Sequence, residues 1–413
     1  MGKHSKDIDL GEKNDITQSI NKRTVKMITF AAFASISVYS IVVHLPGILI
    51  NEVVEAFSLE GADEGLMGTL TSLGFVVSIF FVLLIQGRAK KSTVLALALL
   101  SQAITLFICG VAPVLYLFFA GCVLVGFSGG FIDILCNSSI VDVRKQESTK
   151  YLGYLHGLFG IGSLLSPIIF FRLLRYIDWR GVFFAVAVAS TLAALLVFFL
   201  TRGLKTVGNR ETNHERLFTR ADLLSFFRSK RSMILAFAGF FAMFAIACTM
   251  IWIVRYMTLS HDAAQLGVLS ITIYWISATA NRFLLAAVVK RAPMMFFALG
   301  AALSALLLLI GVFSGNPVFL CVTIGAFGFC SGHFVPVLVS EITVGYEGRT
   351  TFITSTLMFS MGIGRIIAPV LIALISTQIS LTVGMMLPVA AAFIAMVFGG
   401  VAMKIKPTRG EAP

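Results

Sequence analysis

Charged residues are scarce in this chain of 413 residues: Asp, Glu, Lys and Arg make up 13% of it, whereas hydrophobic residues make up 58%. Soluble domains carry roughly a quarter charged residues, so this chain lacks the charge to cover a water-facing surface of its size. The scarcity excludes a soluble enzyme, a soluble nucleic-acid-binding domain and a disordered chain. The 37 Phe and 36 Gly residues and a mean hydropathy of +0.94 indicate a polytopic membrane protein instead.

Cysteine is also rare, and the six cysteines have no spacing typical of a metal site. They fall in apolar stretches, where we expect them to act as small packing residues. The sequence has neither a glycine-rich phosphate loop nor a nucleophile beside a base at a meaningful spacing. We therefore expect no cofactor, no metal and no enzymatic activity.

Twelve apolar stretches are each near or above the roughly 20 residues that a helix needs to cross a bilayer. They cover residues 27–50, 63–86, 92–112, 114–142, 149–174, 179–201, 232–259, 262–290, 292–314, 317–343, 348–376 and 380–403. The sequence thus predicts an all-α membrane protein of twelve transmembrane helices in two six-helix bundles. The predicted parts are an N-terminal tail over 1–26, a bundle over 27–201, a cytoplasmic linker over 202–231, a second bundle over 232–403 and a tail over 404–413.

The net charge of +12 encodes orientation rather than a polyanionic partner. With the N-terminus in the cytoplasm, nearly all basic residues lie in cytoplasmic segments; the exceptions are Arg172, Arg175 and Arg180 in external loops and Arg255, Arg282 and Arg365 inside helices. The positive-inside rule favours this orientation, so we expect a cell-membrane (inner or plasma membrane) protein with both termini in the cytoplasm. The expected partners are the bilayer, a small-molecule substrate and a coupling ion, expected to be a proton, but no nucleic acid. We expect the chain to function as a monomer.

An internal repeat appears when the sequence is shifted by 202 residues. Glycine, phenylalanine and proline positions in the fourth and fifth spans then coincide with identical residues in the tenth and eleventh: Gly126, Phe127, Gly130, Gly160, Gly162 and Pro167 fall on Gly328, Phe329, Gly332, Gly362, Gly364 and Pro369. Spans in the same place of each half share the offset, which predicts a parallel repeat about an axis along the membrane normal. A substrate site between such halves is expected near the midplane.

Four motifs carry a resemblance to a known family: Gly130-x-x-Asp133-x-x-x-Asn137, then Leu155-His156-Gly157 with Gly160-x-Gly162 and Pro167, then Trp252-x-x-x-Tyr256, and Trp275 followed by Asn281-Arg282. Over its full length the chain resembles the major facilitator superfamily and, within it, the fucose-permease-like group. The resemblance implies the major facilitator fold, alternating access and proton-coupled uptake of a sugar or sugar-like compound. It also implies a coupling or substrate role for Asp133.

Two departures from that family weaken the sugar prediction. The loop 86–91 lacks the aspartate of the superfamily's signature loop, and the first span lacks the acidic residue of fucose permease and has His44 towards its outer end. A small organic anion held by Arg365 with His156 or His333 is therefore the alternative substrate. A drug exporter and a binding-only receptor are less favoured, since the candidate site mixes several charges.

Ionisable residues inside a span are functional candidates because a charge in the hydrocarbon core is costly. Counting 1.5 Å per residue places Asp133, His156, Arg282 and His333 roughly 10–15 Å from the cytoplasmic helix ends, near the midplane. Desolvation favours the protonated form of a carboxyl group, so Asp133 is the predicted proton-coupling residue, with His156 as a second. The alternative for each is a permanent hydrogen bond between helices.

The other candidates divide by role. The predicted substrate ligands combine aromatic rings, which stack on sugar faces, with polar and charged groups: Asn137, Trp252, Tyr274, Trp275, Asn281, His333 and Arg365. The predicted gating residues are Arg282, Asp142 and Glu341. Asp142 and Glu341 lie close to cytoplasmic helix ends, where we expect ion pairs with loop arginines.

Overall fold

The computed structural model describes residues 22–45, 49–58, 66–204, 217–288, 292–346 and 348–405; residues 1–21 and 406–413 of the two predicted tails and residues 205–216 of the predicted linker lie outside these ranges. The membrane helices are α1 Lys22–Val42, α2 Leu66–Ile85, α3 Lys91–Val111, α4 Leu115–Arg144, α5 Ser148–Leu173, α6 Trp179–Thr201, α7 Lys230–His261, α8 Ala264–Val288, α9 Pro293–Phe313, α10 Pro317–Ile342, α11 Thr350–Gln378 and α12 Leu381–Lys404. Short helices cover Ile50–Phe57 and Arg220–Arg228.

The number of membrane helices agrees with the prediction. Ten helical stretches are long and apolar enough to cross a membrane, and one of them, Leu115–Leu173, contains both α4 and α5. The shorter apolar helix Thr69–Ile85, within α2, supplies the remaining crossing. The part of the chain that the structure describes therefore holds twelve membrane helices.

The helices pack as two six-helix bundles in which equivalent pairs meet. In the first half α1 packs against α4, α5 and α6, and in the second half α7 packs against α10, α11 and α12. The pairs α2–α4 and α3–α6 likewise correspond to α8–α10 and α9–α12. Contacts between the halves are made mainly by α5 with α8 and α10, and by α11 with α2 and α4, two sets that a twofold axis would exchange. The predicted two-bundle fold is confirmed.

The repeat-matched glycines explain how the helices approach so closely. A Cβ atom on Gly126 of α4 would overlap the backbone of Thr71 in α2, and one on Gly328 of α10 would overlap the backbone of Tyr274 in α8. Helix association in lipid depends on such small residues, since apolar side chains gain nothing by leaving lipid for protein. The same sequence position thus serves the same contact in both halves.

Three helices differ from the predicted spans, and one of them is the twelfth, which is interrupted at Met385 between Leu381–Gly384 and Met386–Lys404. The first span was expected to reach residue 50, but α1 ends at Val42, four residues before Pro46, which has no N–H to donate to the Val42 carbonyl. The predicted tenth span is interrupted between Ser331 and Phe334. The interruption lies one turn before Pro336, which has no N–H to donate to the carbonyl of Gly332 four residues earlier.

The linker helix Arg220–Arg228 is attached to the second half. Thr219 and Asp222 cap it reciprocally, each side chain bonding the other residue's backbone N–H. Asp222 is 2% exposed and accepts a hydrogen bond from Arg349 Nη1 at 3.2 Å. Arg349 is the residue before α11, so the end of the linker is held beside the start of that helix.

Candidate functional site

A hydrogen-bonded chain runs from Asp133 of α4 to His156 of α5. Helical spacing of four residues places Asn137 over Asp133, and Asn137 Nδ2 donates to the Asp133 carboxylate at 3.0 Å and to its backbone oxygen at 2.9 Å. Asn137 Oδ1 lies 2.9 Å from His156 Nε2. Because the amide nitrogen already donates to Asp133, the amide oxygen accepts, and His156 Nε2 carries the proton. The carboxylate itself is half-buried, whereas Asn137 and His156 are buried.

Arg282 continues this network into the second half. Its Nη1 donates to the His156 carbonyl at 3.0 Å, and its Nε donates to the Gly332 carbonyl at 2.9 Å. The Gly332 carbonyl is the one that Pro336 leaves without a helical donor. Arg282 therefore connects α5, α8 and α10 through backbone oxygens, and its predicted gating role stays a prediction.

Three of the predicted substrate ligands bond to other protein groups inside the second half. His333 Nδ1 lies 3.1 Å from Asn281 Oδ1, and His333 Nε2 lies 3.0 Å from the Phe296 carbonyl oxygen. Tyr274 is 1% exposed and its hydroxyl accepts a bond from Ser331 Oγ at 3.3 Å. In this conformation these side chains join packed helices instead of facing a cavity.

Arg365 of α11 has different surroundings. It is half-buried, and its guanidinium lies 5.5 Å from the centroid of the Phe75 ring of α2. It interacts electrostatically with Asp133 of α4 and with Tyr39 of α1. With the described residues, however, it forms no hydrogen bond and no ion pair. The structure thus brings a cation from one half opposite a carboxylate from the other.

The two predicted tryptophan ligands occupy different places. Trp275 is half-buried where α8 meets α1, with its ring centroid 6.3 Å from that of His44 and 5.8 Å from the Arg282 guanidinium. Trp252 lies apart from the network, beside Arg255, and its buried Nε1 has no partner among the described residues. Only Trp275 is therefore close to the polar network.

The two acidic gating candidates lie at the side on which α1 begins and α12 ends, here called the terminal face. Asp142 pairs with Lys91 Nζ at 2.6 Å and accepts a bond from Thr350 Oγ1 at 2.7 Å. Lys91 begins α3 next to the end of α4, and the expected ion pair of Asp142 with a loop arginine stays a prediction. Thr350 begins α11, so this contact crosses between the halves.

Glu341 pairs with Arg231 at the start of α7, and Arg231 Nη1 also donates to the Glu341 backbone oxygen at 2.8 Å. Both residues belong to the second half, so this ion pair does not cross the interface between the halves. The same face has further crossing contacts. They include Lys91 Nζ to Thr350 Oγ1 at 2.9 Å, Thr149 Oγ1 to Ser340 Oγ at 2.8 Å and Thr351 Oγ1 to Ser138 Oγ at 3.3 Å.

The hydrophobic packing shows the same asymmetry between the two faces. One large core cluster contains buried residues of both halves, such as Leu135 and Phe334, and lies towards the terminal face. The clusters around Phe118 and around Phe327 each belong to one half and lie towards the opposite face. The halves are therefore joined at the terminal face and packed separately away from it.

Sequence reasoning missed several residues of this arrangement, because hydroxyl and aromatic side chains are ordinary inside membrane spans. Tyr39 could have been found from the run of polar residues in the middle of the first span, Ser35, Ser37, Tyr39 and Ser40. Phe75 is one of 37 phenylalanines and has no such signal. Lys91 was counted only for orientation. Within the described residues, no group of three or more His, Cys, Asp or Glu side chains could hold a metal ion.

Comparison with known proteins supplies the family. A family model of the Major Facilitator Superfamily matches residues 27–338. Among curated proteins, an MFS-type transporter (gkaD) of Penicillium citrinum is 34% identical over 84 residues, 20% of this chain and 14% of that protein. A class H tetracycline resistance protein of Pasteurella multocida is 25% identical over 154 residues, 36% of this chain and 37% of that protein. The chain thus matches less than half the length of either relative.

Solved structures share the fold over nearly the whole chain. A major facilitator transporter, FucP, in the outward conformation has a TM-score of 0.75 at 15% identity, covering 92% of this chain and 99% of that one. A single-residue variant of the E. coli fucose:proton symporter FucP has a TM-score of 0.74 at 15% identity, covering 91% and 98%. The human organic anion transporter MFSD10 has a TM-score of 0.69 at 14% identity, covering 92% and 100%. At such low identity these likenesses establish the fold alone.

Proposed function

Since the chain belongs to the Major Facilitator Superfamily, whose members are transporters, we propose that it is a secondary active transporter that carries a small polar solute together with a proton. It is an integral membrane protein, and in this proposal both termini lie in the cytoplasm. The observation that carries the proposal is the half-buried carboxylate of Asp133, which is linked to His156 and faced by Arg365 of the other half.

Proton coupling follows from the surroundings of Asp133. An ionised carboxylate inside a membrane is costly unless a cation or several donors compensate it. Asp133 receives one side-chain donor, Asn137, and has no ion pair among the described residues. A carboxyl group that is stable in both its ionised and its protonated form can take up a proton on one side of the membrane and release it on the other. His156 shares this network and can adjust the proton affinity of Asp133.

Alternating access would proceed by rocking of the bundles over residues 27–201 and 232–403, with the segment 202–231 as their connection. The hydrogen bonds that join the two halves at the terminal face, such as the one between Thr350 and Asp142, stabilise a state in which this face is closed. The site between the halves would then be accessible from the opposite face, which is the external face in the proposed orientation. Opening the terminal face requires that these contacts break.

Two substrate classes remain in the proposal. A sugar or sugar-like compound rests on the family resemblance and on Trp275, whose half-buried ring could stack on a sugar face. Against it, Tyr274, Asn281 and His333 are engaged with other protein groups. A small organic anion is favoured by the guanidinium of Arg365, which has no hydrogen bond or ion pair with the described residues. Drug export is the least supported, since the site is charged rather than broadly apolar.

Transport by purified protein in liposomes tests the proposal. Counterflow against a panel of sugars, carboxylates and cationic drugs identifies the solute, and a proton gradient then drives its accumulation. The Asp133→Asn variant is expected to retain counterflow and to lose accumulation. The matched control is Asp178→Asn: Asp178 caps α6 at an exposed position, and asparagine caps equally well. Full accumulation by Asp133→Asn would contradict the proposal.

A further inference from the structure

We infer that Arg365, Tyr39 and Asp133 form the binding site for the carboxylate of a small organic anion, and that the anion binds when Asp133 is protonated. The inference rests on the proposed function and specifies its substrate class. It makes the chain a symporter of one carboxylate and one proton, in which the bound pair adds no net charge to the site.

The position of these side chains is fixed by close packing around α4. The Tyr39 ring of α1 lies against Gly129, where a Cβ atom would overlap it. The backbone oxygen of Phe75 in α2 lies against Gly130, and the Arg365 guanidinium lies 5.5 Å from the centroid of the Phe75 ring. Asp133 follows these glycines by three and four residues, one helical turn away. Side chains from α1, α4 and α11 therefore converge from both halves of the protein.

The need for an anion follows from comparing the hydrogen-bonding partners of the buried and half-buried arginines. Arg231 is paired with Glu341, and Arg282 donates to two backbone oxygens. Arg365 has neither kind of partner among the described residues, although it lies within the membrane span. A guanidinium binds carboxylates with two parallel hydrogen bonds and is costly to desolvate alone. A ligand carboxylate would supply the missing partner.

The groups around Asp133 show why a proton must accompany the anion. The groups that act on it are Tyr39 from α1, Cys136 and Asn137 from its own helix, His156 through Asn137 from α5, and Arg365 from α11. From α2, the Ser78 hydroxyl and the Phe75 backbone oxygen lie against Gly130, one helical turn before Asp133. The lysine of α3, Lys91, is committed to Asp142. Arg365 is thus the cation that balances Asp133, and an ionised Asp133 would repel a carboxylate bound there.

Protonation of Asp133 and binding of the anion therefore reinforce each other. A proton on the carboxylate removes the repulsion and leaves the guanidinium to the ligand. Coupling between two sites is reciprocal and commonly amounts to a factor of about 5–150. The carboxylate should bind more tightly by such a factor at low pH, and it should raise the proton affinity of the site by the same factor.

Ligand-induced thermal stabilisation of the purified protein tests the inference with matched acid and neutral probes. The probes are gluconate against sorbitol, lactate against lactamide and benzoate against benzamide, each measured between about pH 5.5 and pH 8, a range that spans the titration of a partly desolvated carboxyl group. Native protein is expected to bind a carboxylate, to ignore its neutral counterpart and to bind more weakly as the pH rises. Arg365→Gln should weaken binding about 30-fold or more, and Arg365→Lys should weaken it less, because the charge remains.

Asp133→Asn imitates the protonated carboxyl group and should bind the carboxylate tightly at every pH. Arg172→Gln removes an exposed arginine in the last turn of α5 and should change nothing. Melting temperatures measured without ligand establish that each variant folds. If Arg365→Gln does not fold, Arg365→Lys still tests the inference. The inference is overturned if no carboxylate binds, if a neutral probe binds equally well, or if Arg365→Gln binds normally. Each of these results leaves proton coupling through Asp133 intact, which accumulation by Asp133→Asn tests separately.

Discussion

At the scale of single residues, the buried charges differ in what satisfies them. Arg282 uses backbone oxygens, Arg231 uses Glu341, and Asp133 shares its carboxylate with Asn137. These bonds satisfy Arg282 and Arg231 within the protein, whereas Asp133 receives this one side-chain donor and no ion pair from the described residues. Arg365 differs from them because it has no hydrogen bond and no ion pair with the described residues. The substrate proposal depends on it for that reason.

The link from Asp133 to His156 through Asn137 should be measurable as an energetic coupling. Asn137→Ala removes the hydrogen-bonding partner that Asp133 and His156 share. In that variant, the further change His156→Ala should lower the free energy of unfolding only slightly, because the hydrogen bond is already lost. A double-mutant cycle on denaturant unfolding should give a coupling of about 0.6–1.7 kcal/mol, the range for hydrogen bonds between membrane helices. Additive effects of the two changes would contradict the hydrogen bond.

The sequence sufficed to identify Asp133, His156, Arg282 and Arg365, because ionisable residues inside apolar spans are few and stand out. It also predicted that Asn137 lies beside Asp133, since they are one helical turn apart. The sequence could not identify the hydrogen-bond or ion-pair partner of each charged side chain. Lys91 for Asp142 and the Gly332 carbonyl for Arg282 depend on how helices distant in sequence meet.

At the scale of elements, the interruption of α10 leaves a backbone acceptor for Arg282, which also donates to His156 of the other half. The Gly332 carbonyl is free for Arg282 because Pro336 cannot donate to it. An apolar span of this length predicts an unbroken helix, and the proline was in the sequence, but nothing there indicated that an arginine of another helix would occupy the freed acceptor.

Close approach of α10 to α8 at this break should not tolerate a side chain. A Cβ atom on Gly332 would lie 2.5 Å from the Ala278 carbonyl oxygen. Gly332→Ala is therefore expected to destabilise the protein by about 1–3 kcal/mol and to lower its melting temperature. Gly400→Ala in α12 is the matched control, since no atom lies within 4 Å of its Cβ position. Equal melting temperatures for the two variants would contradict the packing.

The start of α11 should act as a latch at the terminal face. Thr350→Val keeps the shape of the side chain but removes the hydrogen bond that Thr350 donates to Asp142 and the one that it accepts from Lys91 Nζ. Loss of about 1 kcal/mol should raise the population of the open state about fivefold. Thiol modification of a cysteine introduced as Ser340→Cys, which is 5% exposed when closed, reports this opening.

The control for the latch is Thr356→Val. Thr356 lies on the same helix, but its hydroxyl donates only to the Phe352 carbonyl oxygen within α11. It should leave the modification rate unchanged, and the native protein without Ser340→Cys gives the background from the six natural cysteines. A rate that Thr350→Val does not alter would show that Asp142 and Thr350 do not hold the face closed.

At the scale of the whole molecule, hydropathy and the 202-residue repeat were enough to predict twelve helices in two bundles. They could not predict which side of each helix faces lipid. Phe30 is 56% exposed and Phe118 is fully buried, yet the two are chemically identical. In lipid neither position is favoured by hydrophobicity, so the sequence pattern that reveals the inward side of a soluble helix is weak here.

The orientation of the whole molecule also gives a test. Both chain ends are predicted to be cytoplasmic because of the basic residues on that side. A reporter fused to either end should be active only as a cytoplasmic protein, and an impermeant reagent should label Tyr116→Cys, at an exposed position at the start of α4, from outside the cell. Labelling from the cytoplasmic side alone would reverse the assignment of the external and cytoplasmic faces.

The central claim is that solute and proton cross together through Asp133, and the proton flux that accompanies solute entry tests it most directly. Liposomes containing the native protein and a trapped pH indicator receive an inward gradient of the transported solute, with the membrane potential clamped. The interior is expected to acidify with native protein. No acidification is expected with Asp133→Asn, although this variant still exchanges solute. Acidification by Asp133→Asn at the native rate would contradict coupling through this carboxylate.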